Sequence, residues 1–387
     1  MGDYTIETAT SEVTAMKTRS GVRAKRQTRA KRMAASRPLS RNQAEGKRAP
    51  RTNFGRSRRN VRKVMPDLRP FWRAGQLAGN QFREDADNLN KHASDTWQVH
   101  AANLPEQISY ESALQAGRAF VQGYAKSSGY LPEIVPLPLR HVAAAVVCAC
   151  NEESTLGQVL VQLGRLPLRD IVVVLNGTTD NSLERVLEQP GITLVYEPER
   201  AGHDVGRALG AKMTDAESVL FVDGDMVIPA EQLAPFLFAI DRGQDVALND
   251  LTSLLPPFAK QDEVSRIKAY LNHTLGRRDL GSNSMTAVPH ALSRRMIQAV
   301  KPASLVVPPK AQMLAIKQGL KVSAPCQVDV IRSNRLRAGN TGSGNDVARL
   351  ILGDHLEALA SWMGTSEHAL RTNLPSRAEV AYRRNVR

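Results

Sequence analysis

The chain has 387 residues, of which 42% are hydrophobic and 23% charged, with a formal net charge of +14. That apolar content supports a real core, and the length allows one large domain or two modest ones. No apolar run approaches the roughly 18 residues a membrane helix needs, and the acidic start MGDYTIETATSE lacks the pattern of a secretory leader; with Ile6, the myristoylation pattern fails as well.

The basicity belongs to one end. Residues 1–73 hold 20 Lys/Arg and 5 Asp/Glu, a balance of +15, so the remaining 32 basic and 33 acidic residues balance at −1. A segment so charged and so poor in apolar residues cannot bury enough surface to fold alone, and a disordered tail is expected. Residues 17–73 are suited to a polyanion or an anionic membrane surface. They lack the interleaved aromatics of a base-stacking surface, so no specific nucleic-acid recognition is expected.

Residues 74–138 carry helical signals and then a proline-rich linker. In ISYESALQAGRAFVQGYAKSSGY, Ala113, Leu114, Gly117, Phe120, Val121 and Tyr124 form one apolar face, with Ser112 as a candidate cap. LPEIVPLPLR reads as extended.

Next comes an alternation. HVAAAVVCACNEES, RDIVVVLNGTTDNS, ITLVYEPER and SVLFVDGDMVI read as buried strands, with helical stretches between them. This spacing implies a mostly parallel α/β sheet with helices on both faces. Ligands bind such sheets at the carboxyl ends of the strands. The polar tips fall at those ends: Asn151-Glu152-Glu153, Asn176 to Asp180, and Asp223-Gly224-Asp225. Carboxylates at the end of a buried strand are costly unless a cation or strong donors compensate. Asp223 and Asp225 suit a hard divalent ion such as Mg²⁺, and Gly224 permits close backbone approach. The alternative is a turn cap and a local ion pair. Cys148, Cys150 and Cys326 cannot all pair, and buried reduced thiols of a cytoplasmic protein are expected.

Taken together, VCACNEESTLGQVL, VVVLNGTTDNSL, ERAGHDVGRALGA and VLFVDGDMVI resemble a family-2-type glycosyltransferase of the GT-A fold over roughly residues 141–300. A secondary resemblance is to the glucosyl-3-phosphoglycerate synthase branch. The resemblance implies a Rossmann-like nucleotide-sugar-binding half over residues 139–240. An acceptor-binding half with C-terminal helices would follow over residues 241–387. It also implies Mn²⁺ or Mg²⁺ held by Asp223 and Asp225, and a nucleoside diphosphate sugar donor, UDP-sugar foremost. On the nucleotide it places Cys150, Asn151, Glu152, Asn176, Asp180, His203, Arg207, Asp223 and Gly224. Asn176 stands where the family often has Asp. Asp180 is equally a helix cap, His203 a surface histidine, and Arg207 an exposed-face arginine. Arg200 is a further diphosphate candidate.

One departure concerns catalysis. Where the family has an acidic pair, this chain reads Val307-Pro308-Pro309-Lys310. The base then comes from elsewhere, with Asp354 or His355 as candidates, or configuration is retained without one, or catalysis is lost. His355 is also a candidate metal ligand, and Gly353-Asp354-His355 a candidate helix start. Asn283 and Ser284 are acceptor candidates in a flexible-looking loop. The Gly/Asn-rich stretch Arg335 to Arg349 is a candidate lid, with Arg335 or Arg337 on phosphate. Two rival classes remain: a nucleotidyltransferase, disfavoured by Asn-Glu-Glu-Ser after the first strand, and a non-catalytic nucleotide-sugar-binding protein.

Overall fold

The computed structural model describes residues 67–82, 88–202, 204–333 and 346–364. Residues 1–66 of the expected basic tail, His203, Arg335 and Arg337 lie outside the described residues.

Three helices come first: α1 (Arg69–Gln81), α2 (Leu89–Ala101) and α3 (Tyr110–Ser128). They precede β1 (Ala143–Ala149), α4 (Leu156–Gly164), β2 (Asp170–Asn176), α5 (Ser182–Leu187), β3 (Ile192–Glu197), α6 (Val205–Lys212) and β4 (Ser218–Asp223). Then come α7 (Ala230–Asp241), β5 (Val246–Asn249), α8 (Glu263–Thr274), β6 (His290–Ser293), α9 (Arg294–Val300), α10 (Pro308–Lys317), β7 (Val322–Cys326), α11 (Val330–Ser333) and α12 (Asp346–Met363).

The strands form a seven-stranded sheet in the order β3-β2-β1-β4-β6-β5-β7. β1 pairs in parallel with β2 and β4, β2 with β3, and β5 with β7, while β6 runs antiparallel to β4 and β5. The expected mostly parallel architecture is therefore present. Successive strand residues face opposite sides, and both sides are covered. Ala145, Val147, Val173, Leu220 and Val222 pack with α4, α7 and the N-terminal helices, whereas Val146, Val172, Val174, Val219 and Phe221 pack with α6, α9 and α10. Coverage on both faces explains continuous apolar runs in place of alternation.

α3 starts earlier than Ser112. Its cap is Ser109, whose hydroxyl accepts the backbone N–H of Ser112 at 3.1 Å, and Gly129 ends it in the left-handed region. The proline-rich stretch after it is extended but pinned. The Gln98 side chain donates to the Leu137 carbonyl and accepts from the Leu139 amide, and Leu137 is fully buried. Asp241 on α7 accepts the amides of Arg140 and His141 at 2.8 and 3.0 Å. These bonds seat the helical layer on the sheet and fix where β1 begins. No described helix is long and apolar enough to cross a membrane.

Candidate active site

β1, β2 and β4 end together, and a cleft of about 340 Å³ opens above them. Its walls include Cys148, Cys150, Glu152, Asn176, Arg200, Gly206, Asp223, Gly224 and Asp225. Residues from three separate strand tips thus converge on one space. Gly224 permits this. Its N–H donates to the Cys148 carbonyl at 2.8 Å, its carbonyl accepts from the Thr155 hydroxyl at 2.8 Å, and a Cβ there would lie 2.7 Å from the Ala149 Cβ. Only a residue without a side chain lets β4 close against β1 at this level, and that closure aims Asp223 and Asp225 into the cleft.

The tips of β1 and β2 are stitched to each other. Asn151, in the left-handed region at φ 60, accepts the Thr179 amide at 2.7 Å. The Glu152 amide donates to the Ser182 hydroxyl at 2.8 Å, and Ser182 in turn donates to Asp180 at 2.6 Å. Asp180 also accepts the amides of Ser182 and Glu153. Burial opposes the charge of Asp180, but these donors outweigh it and hold the carboxyl below its usual range. Asp180 therefore caps the start of α5 and ties the two tips together. Glu152 is buried and lines the cleft.

Asn176 explains its own departure from Asp. Its side-chain N–H donates to the Gly202 carbonyl at 2.7 Å, and its oxygen accepts the Ala201 amide at 2.9 Å. An aspartate could not make the first bond. The amide closes the loop after β3, from which Arg200 reaches the cleft, its guanidinium 3.6 Å from the Cys150 sulfur.

Arg207 is placed differently from a diphosphate contact. Its side chain is only 6% exposed, pairs with Asp204 at 2.9 Å and donates to the Met285 carbonyl at 3.1 Å. Burial works against its charge, but Asp204 and then Asp223 outweigh burial and raise its pKa. It therefore sits behind Asp223 and balances that carboxylate from within the protein. Beside it, burial pushes the Cys148 thiol up to about 12, with Asp223 adding to the effect. All three cysteines are free, and two of them line the cleft.

Residues 144–297 match the model of glycosyl transferase family 2. Over this segment the chain is similar to glycosyl transferase family 2. No curated protein matches the chain. Among solved structures, the chain is similar to glucosyl-3-phosphoglycerate synthase from Mycobacterium tuberculosis in complex with Mn²⁺, UDP and phosphoglyceric acid, at 18% identity and a TM-score of 0.44, covering 59% of this chain and 80% of that one. It is also similar to the same enzyme with Mg²⁺ and UDP, at 17% identity and a TM-score of 0.43, covering 59% and 81%.

Residues 241–387, expected to form an acceptor-binding half, correct several expectations. The loop 281–287 is clamped where flexibility was expected. Asn283 is 1% exposed; its amide donates to Asp250 at 3.0 Å and its oxygen accepts the Leu251 amide at 2.9 Å. Ser284 is 2% exposed, 3.5 Å from the Nε2 of His355. Both side chains hold the loop and do not present themselves to an acceptor. The Met285 amide donates to Gln312 of α10, which donates to Asn272 of α8. Gly353-Asp354-His355 lies within α12 and does not start it. His355 is fully buried, its Nδ1 2.7 Å from the Ile351 carbonyl, and burial pushes it down to about 4. Such a histidine cannot reach an acceptor hydroxyl in the cleft. Asp354 is half-buried on the same helix and does not line the cleft. Asp346–Arg349, the end of the stretch expected as a lid, opens α12.

At the position of the expected acidic pair, Lys310 pairs at 2.7 Å with Glu357 of α12. Lys268 on α8, which no motif singled out, has a half-buried amine pressed to about 8 by burial.

The residues present fit a hard cation. Asp223 and Asp225 line one cleft, while among the described residues no cluster of three or more His, Cys, Asp or Glu assembles to enclose a metal. Two carboxylates with the rest of the coordination left to phosphate oxygens and water is the habit of Mg²⁺ in phosphate sites.

Proposed function

We propose that this glycosyltransferase moves a sugar from a nucleoside diphosphate sugar, UDP-sugar foremost, to an acceptor, with Mn²⁺ or Mg²⁺ held by Asp223 and Asp225. The observation that carries this reading is the convergence of both carboxylates with Cys150, Asn176 and Arg200 on a single cleft at the strand ends. A bound divalent cation would stabilise the negative charge that builds on the leaving diphosphate. The chain's own part is to hold the two carboxylates at a fixed spacing through Gly224, to shape the wall through Asn176, and to supply Arg200 on the diphosphate side. Arg207, paired with Asp204, faces the protein interior and does not itself line the cleft.

Calorimetric titration of UDP with and without Mn²⁺ tests the reading, alongside a thermal-shift panel of the other nucleoside diphosphates and their sugars. Binding to the native state raises apparent stability by mass action. Wild type should bind tightly only with the cation, and Asp225→Ala should lose that tight binding. Equal affinities for the two proteins would sink the assignment. Release of sugar from the donor separates a working transferase from a binding protein.

The sequence further supports a cytoplasmic enzyme whose basic segment, residues 17–73, tethers it to a polyanion or an anionic membrane surface. Removing residues 1–66 should leave nucleotide binding unchanged and abolish retention on anionic vesicles or heparin. Retention by the shortened chain would refute the tether.

A further inference from the structure

We propose that Arg207 is a positioning residue that links occupancy of the Asp223–Asp225 pair to the conformation of the 281–287 loop. The inference rests on the reading above, in which these carboxylates hold a divalent cation.

The geometry is a buried relay. Met285 is held from two sides: its N–H donates to Gln312 at 2.9 Å, and its carbonyl accepts from Arg207 at 3.1 Å. Gln312 and Asn272 belong to a buried amide network that also holds the carbonyls of Gly281 and Asn283. On its other side Arg207 pairs with Asp204 at 2.9 Å, and its neighbour Gly206 lines the same cleft as Asp223 and packs against Cys148, the register partner of Asp223 on β1; the guanidinium therefore lies in the field of Asp223. One guanidinium thus bridges Asp204, at the start of the helix that walls the cleft, and the backbone of the loop. A planar fork with several donors can hold such a bridge, which a point charge cannot.

The sharing sets the direction of the effect. In the cation-free site, Asp223 draws the guanidinium toward the end of β4. A dication on Asp223 and Asp225 takes up that negative charge and repels the guanidinium. Arg207 then leans on Asp204 and on the Met285 carbonyl, and a charge-assisted bond to that carbonyl strengthens. Residues 281–287 should tighten when metal and nucleotide bind, before any acceptor arrives. Coupling is reciprocal, so a ligand that orders the loop should tighten the metal–nucleotide complex by the same factor.

Amide hydrogen exchange tests this, on full-length protein with and without Mn²⁺ plus UDP at saturating concentration. In wild type, exchange across 281–287 should slow by about 5- to 10-fold, at the low end of typical coupling. Arg207→Lys keeps the charge but loses the fork, so it should bind Mn²⁺ and UDP by calorimetry with the slowing abolished. Gln312→Leu loosens the loop from its other side. It should speed exchange in the ligand-free protein yet keep the ligand-induced slowing, which a merely structural role for Arg207 would not predict. Unchanged slowing in Arg207→Lys overturns the proposal. So does a wild type that binds Mn²⁺ and UDP without any change across 281–287, and this arm decides even if the variant does not fold. A wild type that binds no nucleoside diphosphate at all instead overturns the proposed function, and the linkage falls with it.

Discussion

Replacing Gly224 with alanine is the sharpest local perturbation of the cleft. The added Cβ would stand 2.7 Å from the Ala149 Cβ, 3.4 Å from the Leu156 Cδ1 and 3.5 Å from the Ala149 Cα. The first contact is impossible without movement. Ala149 is part of β1, and Leu156 is a fully buried core residue, so neither can swing away. The end of β4 must lift instead. Lifting stretches two bonds of 2.8 Å, one from the Gly224 amide to Cys148 and one from the Thr155 hydroxyl to the Gly224 carbonyl. Overpacking of this kind costs about 1–3 kcal/mol, and each weakened hydrogen bond adds roughly 1 kcal/mol at most. A loss of about 2–4 kcal/mol of stability is expected. Affinity for Mn²⁺ plus UDP should fall more than stability alone requires, because Asp223 and Asp225 flank the displaced residue. Chemical denaturation measures the first effect, and calorimetry at a temperature where the variant is fully folded measures the second. A variant with wild-type midpoint and wild-type affinity would show that the tight approach of β4 to β1 does not set the site.

Asn176→Asp keeps the acceptor for the Ala201 amide but turns a 2.7 Å donation to the Gly202 carbonyl into a repulsion, so the loop bearing Arg200 should open at a cost of about 1–3 kcal/mol. Nucleoside diphosphate affinity should drop with it; an unchanged affinity would remove this loop from the site. Stability should also decline in acid. Burial holds His355 near 4 and His290, stacked on Phe221, near 3. An unfolded histidine takes a proton near its ordinary value of about 6.5, so the unfolded chain binds more protons and stability falls as pH drops below that value, by about 2 kcal/mol per histidine at pH 5. The loss for His355 levels off below pH 4, once the folded histidine also takes up its proton. Denaturation midpoints of wild type and His355→Asn at pH 7.5 and 5 check this, and equal acid losses in the two would contradict it.

Residues 139–240 were legible in the sequence because their signals are local. Each strand is a short apolar run, each tip is polar, and the parallel order places every tip on the same rim. Residues 241–387 were not, because their polar residues find partners far away in the chain. Asn283 and Ser284 look like a loose loop in the stretch Gly281-Ser282-Asn283-Ser284. Their fate depends on Asp250 and His355, and nothing at positions 281–284 announces either. Gly353 suggested a helix start because glycine is a poor helix former; packing of α12 against α8 and α10 overrides that preference. Arg207 was misplaced for a related reason. Spacing shows Asp204 three residues earlier, but only the tertiary contact with the Met285 carbonyl reveals that the guanidinium is turned inward.

The charges around the cleft make a stronger demand than the motif alone. Glu152, Asp223 and Asp225 all line it, and of the described basic side chains only Arg200 joins them there. A diphosphate entering this space alone meets more negative charge than positive. At about 4 Å two like charges repel by roughly 4 kcal/mol at an effective dielectric constant of 20, and at longer, screened distances by about 1 kcal/mol. A cation between the carboxylates reverses the sign of that interaction. The effect of Asp225→Ala should therefore change direction with the metal. With Mn²⁺ present the substitution should abolish tight binding of UDP, since a ligand of the cation is gone. With the cation chelated it should strengthen the weak residual binding by about five-fold, the equivalent of about 1 kcal/mol, because a repelling charge is gone. A substitution that merely damaged the fold would weaken binding under both conditions. That outcome would mean that the role of Asp225 is to support the strand end rather than to hold a cation against a diphosphate.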